Sequence, residues 1–144
     1  MRIVVQRVTR ASVEVDGEIC GKIGKGFLVL LGVGENDTEA ECIRLADKLI
    51  NLRIFSDEND KINLALKDVS GELLIVSQFT LYADCRKGNR PNFVQAAKPE
   101  LANKLYEFFI DYCKKKVPVV QSGIFGADMK VDLLNDGPFT VILE

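Results

Sequence analysis

Gly26-Phe27-Leu28-Val29-Leu30-Leu31-Gly32 sets five consecutive apolar residues between two glycines. A run without polar alternation is what a strand covered on both faces requires, because neither row of its side chains meets water. Toward the N-terminus, Ile3-Val4-Val5 and Val13-Glu14-Val15 are β-branched and partly alternating, and Asp16-Gly17 before Glu18-Ile19-Cys20 is a hairpin signal. Residues 1–34 therefore read as a meander of strands. Toward the C-terminus the period changes. Thr38 and Glu41 have the spacing of a capping box, and Cys42, Leu45, Ala46 and Leu49 fall on one helical face, which predicts a helix ending near Leu52.

Residues 57–71 are polar, with a turn at Asp57-Glu58-Asn59-Asp60. A second core run, Leu73-Leu74-Ile75-Val76, follows Gly71 and delivers Ser77-Gln78-Phe79-Thr80 at its C-terminal end. Between Ala83 and Pro99 the chain is irregular. Pro99 suits the first turn of a second helix, with Leu101, Leu105, Phe108 and Tyr112 as its apolar stripe and Lys114-Lys115-Lys116 complementing the dipole at its end. Residues 117–120, 128–134 and 140–143 read as strands. There is no internal repeat, low-complexity stretch or linker, so residues 1–144 form one domain. The expected class is α+β: a small, mostly antiparallel sheet or barrel with two main helices packed outside.

Composition bounds the chemistry. The chain has 144 residues, a net charge of −2, four cysteines and no histidine. A chain of about 150 residues buries enough surface to fold without disulfides or metals. Without histidine there is no Ser-His or Cys-His nucleophile pair, no HExxH zinc helix and no general base with an unperturbed pKa near neutrality. Proton transfers must come from carboxylates, lysines, hydroxyls, water or the substrate. Cys20, Cys42, Cys85 and Cys113 are separated by 22, 43 and 28 positions, so no CxxC element is present and the cysteines read as reduced structural thiols. No metal site and no cofactor are expected. The net charge argues against non-specific coating of nucleic acid, although a local basic patch is allowed. The first residues lack the apolar stretch of a signal peptide and no long apolar run occurs, so a cytoplasmic protein without membrane contact is expected.

Three segments combine polar groups with tight backbone. Ser77-Gln78-Phe79-Thr80 ends a strand, where hydroxyls and freed N–H groups can converge on an oxyanion; the alternative is a solvated strand end. Cys85-Arg86-Lys87-Gly88-Asn89-Arg90-Pro91 carries three cations and no acid, which suits a phosphate backbone or plain solvation. Asn135-Asp136-Gly137-Pro138 has turn composition and is expected to precede the last strand.

Together these segments resemble the D-aminoacyl-tRNA deacylases of the bacterial and eukaryotic type. The likeness runs through Met1-Arg2-Ile3-Val4-Val5-Gln6-Arg7-Val8, Gly26 to Val33, Ser77-Gln78-Phe79-Thr80-Leu81, Lys87-Gly88-Asn89-Arg90-Pro91-Asn92-Phe93, Phe125-Gly126-Ala127-Asp128-Met129 and Asn135 to Thr140. Ser122 and Phe139 stand where the family more often has Thr and Val. The resemblance implies a homodimer of small β-barrels and hydrolysis of the ester joining a D-amino acid, or glycine, to the 3′-terminal adenosine of tRNA. It implies that Gly137 and Pro138, joined by a cis bond in the family, enter the partner's site and exclude L-amino acids. It further implies that Ser77, Gln78, Phe79 and Thr80 line the aminoacyl pocket and that Phe125 and Met129 lie near the adenosine. The catalytic scheme it favours uses the backbone N–H groups of Phe79 and Thr80 for the oxyanion, with help from the tRNA 2′-hydroxyl. A covalent acyl-Thr80 route would need a base the sequence does not display. Arg86, Lys87 and Arg90 are the candidate tRNA contacts. A non-catalytic RNA-binding module using that loop, or a general small-molecule esterase, are the competing readings.

Overall fold

The computed structural model describes residues 1–144. Its strands are β1 (Arg2–Val15), β2 (Glu18–Ile23), β3 (Gly26–Gly32), β4 (Phe55–Ser56), β5 (Ile62–Leu64), β6 (Glu72–Ser77), β7 (Val120–Ser122) and β8 (Lys130–Leu143). The helices are α1 (Glu39–Ile50) and α2 (Pro99–Lys114), and single 3-10 turns cover Leu66–Val69 and Phe79–Tyr82. The expected α+β class holds. β1 is longer than the two short strands read from the sequence. It pairs with β3 through residues 2–8 and with β2 through residues 11–15, while β8 runs antiparallel along its other edge. The Asp16-Gly17 hairpin is present, both residues having positive φ as a tight turn of this hand requires.

The sheet is mixed, because β3, β6 and β7 run parallel. The two apolar runs explain why. Phe27, Val29, Leu31, Leu73 and Ile75 face a large core shared with the helices, whereas Leu28, Leu74 and Val76 join Val8, Ala11, Val13 and Ile23 in a second, smaller core. Strands with apolar rows on both faces belong in the middle of a covered sheet. The curl brings β2 near β7: a Cβ on Gly21 would stand 2.9 Å from the Ser122 carbonyl oxygen. The result is a nearly closed barrel with α1 and α2 outside.

Four local expectations change. Thr38 is the residue before α1, but its side chain makes no cap; Glu41 instead pairs with Arg44 one turn on, at 2.8 Å. The buried face of α2 comprises Ala102, Leu105, Tyr106, Phe109, Ile110 and Cys113, while Leu101, Phe108 and Tyr112 flank it. The helix is rotated by about one position relative to the predicted stripe, and Tyr106 is tolerated on the buried face because its hydroxyl donates to the Ile75 carbonyl at 2.8 Å. The stretch read as polar, residues 57–71, holds the turn and second strand of a β4–β5 hairpin that starts at Phe55. Asn135–Pro138 does not precede the final strand as a turn; it lies within β8, where the register against β1 shifts on both sides of Val8.

Candidate active site

A cavity of about 640 Å³ opens where β3 and β6 end beside the start of α2. Ser77, Gln78 and Phe79 form one wall, and Phe125, Ala127 and Met129 another; Phe93, Ala102 and Tyr106 are also among its lining residues. Local sequence explains the mouth. The extended apolar run ends at Ser77, the Gln78 N–H donates to the Leu31 carbonyl at 2.8 Å, and the chain tightens into the 3-10 turn Phe79–Tyr82. The Leu81 N–H bonds back to the Gln78 carbonyl, so the first two N–H groups of that turn, those of Phe79 and Thr80, have no partner within it.

The cavity lining contains no Asp, Glu, Lys or Arg. Its one titratable side chain, Tyr106, is pushed up to about 12 by burial, and its proton is held in the bond to Ile75. It is therefore no base at neutral pH. Thr80, an expected site residue, is exposed and is not among the cavity's lining residues; its hydroxyl accepts from the Gln78 side-chain amide. Asp84, the one acid near this segment, is held down at about 2 by Arg86, whose guanidinium pairs with it at 2.7 and 2.9 Å. A serine- or threonine-based triad lacks both its base and its orienting acid here. Chemistry in this cavity must rest on oriented dipoles, water and the substrate's own groups.

The structure gathers Ser77, Gln78, Phe79, Phe125 and Met129 into one site and leaves other expected residues outside it. Gly137 and Pro138, joined by a cis bond, are exposed and do not line their own chain's cavity. In the loop after Asp84, Arg86, Lys87 and Arg90 are all exposed, and Arg86 in addition pairs with Asp84. An Asp84–Asn92 bridge closes the base of that loop, and Phe93 beyond it meets Phe79 edge-on with ring centroids 5.1 Å apart.

One residue was missed by reading the sequence alone. Arg7 is the single buried charged residue. Its Nε donates to the Asp136 carbonyl at 3.0 Å and its Nη1 to the Ile54 carbonyl at 2.7 Å, with the guanidinium 4.8 Å from the Phe139 ring centroid. It thus fixes the segment that bears Gly137 and Pro138. The available signal was a cation in the inward row of alternate residues Ile3, Val5 and Arg7.

Fold and cavity together define a small α+β barrel protein whose candidate site is built from strand-end backbone and apolar walls, without an acid–base pair. Comparison with known proteins makes this specific. The family model for D-Tyr-tRNA(Tyr) deacylase matches residues 4–144. The D-aminoacyl-tRNA deacylase of Thermosipho africanus is 58% identical over 144 residues, covering 100% of this chain and 97% of the relative. That of Clostridium perfringens is 56% identical with the same coverage. A solved structure described as c-Myc DNA Unwinding Element Binding Protein superposes with a TM-score of 0.94 at 44% identity, covering 100% of this chain and 98% of the other. A second, described as a probable eukaryotic D-amino acid tRNA deacylase, has a TM-score of 0.84 at 19% identity, covers 99% and 97%, and shows the shared fold. The chain belongs to the D-Tyr-tRNA(Tyr) deacylase family, and it is an enzyme of the aminoacyl-tRNA deacylase type. No helix is long and apolar enough to cross a membrane.

Proposed function

We propose that the chain acts in the cytoplasm as a homodimer that hydrolyses the ester between a D-amino acid, or glycine, and the terminal adenosine of tRNA. The observation that carries this reading is the uncharged cavity with strand-end backbone at its mouth, in a chain whose Gly137-Pro138 segment stands exposed outside its own cavity. A filter that accepts many D-amino acids cannot use a shaped side-chain pocket, because their side chains share only their placement on Cα. It needs rigid backbone around Cα, where an L side chain collides and glycine has nothing to collide. Gly137 brings its backbone close because it has no Cβ. Supplied by a partner subunit, Gly137 and Pro138 form that wall. An interface on β8 is supported by its pairing with β1 alone and by exposed apolar residues Leu134 and Ile142 along it.

In the reaction, water adds to the ester carbonyl and negative charge develops on its oxygen, facing the N–H groups of Phe79 and Thr80. As water adds, its proton passes to the neighbouring 2′-hydroxyl, which hands its own proton to the 3′-oxygen as that bond breaks, so the 2′-hydroxyl is restored and the products are the free amino acid and the tRNA 3′-hydroxyl. Phe125 and Met129 flank the adenosine, while Ser77 and Gln78 border the aminoacyl group. Lys87 and Arg90, with Arg86 held at the loop base by Asp84, meet the tRNA phosphates.

The test is deacylation of D-Tyr-tRNA, L-Tyr-tRNA and Gly-tRNA by the purified enzyme. Release from the first and third, with L-Tyr-tRNA left intact, is expected. Equal rates on both tyrosyl enantiomers would sink the chiral filter, and salt-sensitive binding without turnover would favour a non-catalytic RNA-binding module.

A further inference from the structure

The turn that carries Phe79 and Thr80 is gripped from behind by residues outside the cavity. Arg2 Nη1 donates to the Leu81 carbonyl at 2.6 Å, and its guanidinium carbon lies 5.0 Å from the Tyr82 ring centroid. Its Nε pairs with Glu144 at 2.8 Å. The opposite side of the turn rests on the chain leaving β3. A Cβ on Gly32 would stand 3.0 Å from both the Gln78 carbonyl oxygen and Leu81 Cβ. On Gly34 it would stand 2.8 Å from the Tyr82 hydroxyl oxygen and 3.0 Å from the adjoining ring carbon. A methyl group at Gly34 would force the Tyr82 ring to shift, and one at Gly32 would press the Phe79–Tyr82 turn by a few tenths of an ångström. Asp37 fixes this seat by accepting the Gly34 N–H at 2.6 Å. Burial, and then the Asp37 carboxylate, push the Tyr82 phenol up to about 12, so its proton stays on.

We infer that Arg2, Gly34 and Tyr82 are positioning residues for deacylation, clamping the Phe79–Tyr82 turn so that its N–H groups keep a fixed direction. None of the three lines the cavity. A 3-10 turn of four residues has little stability of its own, while backbone donors stabilise a developing charge only when already oriented. The clamp supplies that orientation. The inference rests on the oxyanion role proposed for Phe79 and Thr80.

The experiment measures single-turnover deacylation of D-Tyr-tRNA at saturating enzyme, together with kcat, KM and thermal unfolding. Arg2→Met is expected to lower the single-turnover rate constant and kcat by about ten- to a hundredfold, the loss that a misplacement of roughly 1 Å brings. KM should stay within about twofold and the D/L ratio should hold, because Gly137 and Pro138 are untouched. Arg2→Lys, which keeps the cation, should recover part of the rate. Gly34→Ala should lose activity in the same way, and adding Tyr82→Phe, which removes the hydroxyl nearest the new methyl group, should restore part of it. A purely structural role would change the unfolding temperature while leaving the saturating single-turnover rate alone, and that result for Arg2→Met would overturn the inference even if Gly34→Ala failed to fold. Replacing the Phe79–Thr80 amide by an ester deletes the Thr80 N–H and tests the underlying reading separately. A slowed ester enzyme with an unaffected Arg2→Met variant refutes the clamp, and an unaffected ester enzyme refutes the oxyanion role.

Discussion

Replacing Arg7 by methionine removes the charge that ties the Gly137-Pro138 segment to the barrel while keeping most of the side chain's volume. Two hydrogen bonds from a buried guanidinium are lost, and the Asp136 and Ile54 carbonyls lose their donor. An unsatisfied buried acceptor costs about 1–3 kcal/mol, and the lost cation–π contact with Phe139 adds about 0.5–2 kcal/mol. The Asp136 carboxylate, half exposed and 3.6 Å away, contributes little to the balance. Methionine returns part of the total through packing and through the desolvation that arginine no longer suffers. The net loss is then about 2–4 kcal/mol, or a fall in unfolding temperature of roughly 6–12 °C at about 3 °C per kcal/mol for a domain of this size. Because the damage falls on the segment proposed to exclude L-amino acids, L-Tyr-tRNA turnover should rise relative to D-Tyr-tRNA turnover. Scanning calorimetry and paired deacylation assays read the two effects. An unfolding temperature within about 2 °C of wild type, together with an unchanged D/L ratio, would refute the reasoning.

The Thr80 hydroxyl has no base beside it, so Thr80→Ala and Thr80→Val should both deacylate D-Tyr-tRNA at near-normal rates; collapse of both in quench-flow assays would revive a covalent route. Replacing Lys87 and Arg90 together by Gln should weaken tRNA binding and reduce the salt slope by about 2, at about 0.9 per phosphate contact. Arg86→Gln alone should change that slope less, since its cation is already paired with Asp84; titrations at several salt concentrations separate the two. Burial pushes the thiols of Cys42 and Cys113 up to about 11 and 12, while Cys20 and Cys85 are exposed. A thiol reagent at neutral pH should therefore label Cys20 and Cys85 in the native protein and all four cysteines after unfolding; fast native labelling at Cys42 or Cys113 would contradict the packing.

Much of the fold was legible because its strongest signals are local. Phe27–Leu31 and Leu73–Val76 declare covered strands by having no polar alternation, and both lie at the centre of the sheet. Cys42, Leu45, Ala46 and Leu49 repeat at helical spacing and form the buried face of α1. The readings that changed depend on partners the sequence does not show. Thr38 has a capping residue's identity, but Glu41 is drawn to Arg44. Asn135–Pro138 has turn composition, yet β1 alongside keeps it within β8. The stripe Leu101, Leu105, Phe108 and Tyr112 leaves out Tyr106, whose burial depends on the Ile75 carbonyl that accepts its proton.

The same division holds at the candidate site. The sequence by itself determined which chemistry was unavailable, because the absence of histidine needs no coordinates, and its ordered motifs pointed to Ser77, Gln78, Phe79, Phe125 and Met129, which line one cavity. Periodicity and composition report each residue's preference for water and for a backbone shape, and both are local properties. Only the tertiary structure decided that the cavity holds no charge, that Arg86 pairs with Asp84 at the surface, and that Gly137 and Pro138 lie outside their own chain's cavity. Arg7 shows the reason most directly: its hydrogen-bond acceptors lie 47 and 129 positions away along the chain. Such contacts are set by how strands pair and curl, and a buried cation becomes intelligible only when the carbonyls that solvate it have been brought there.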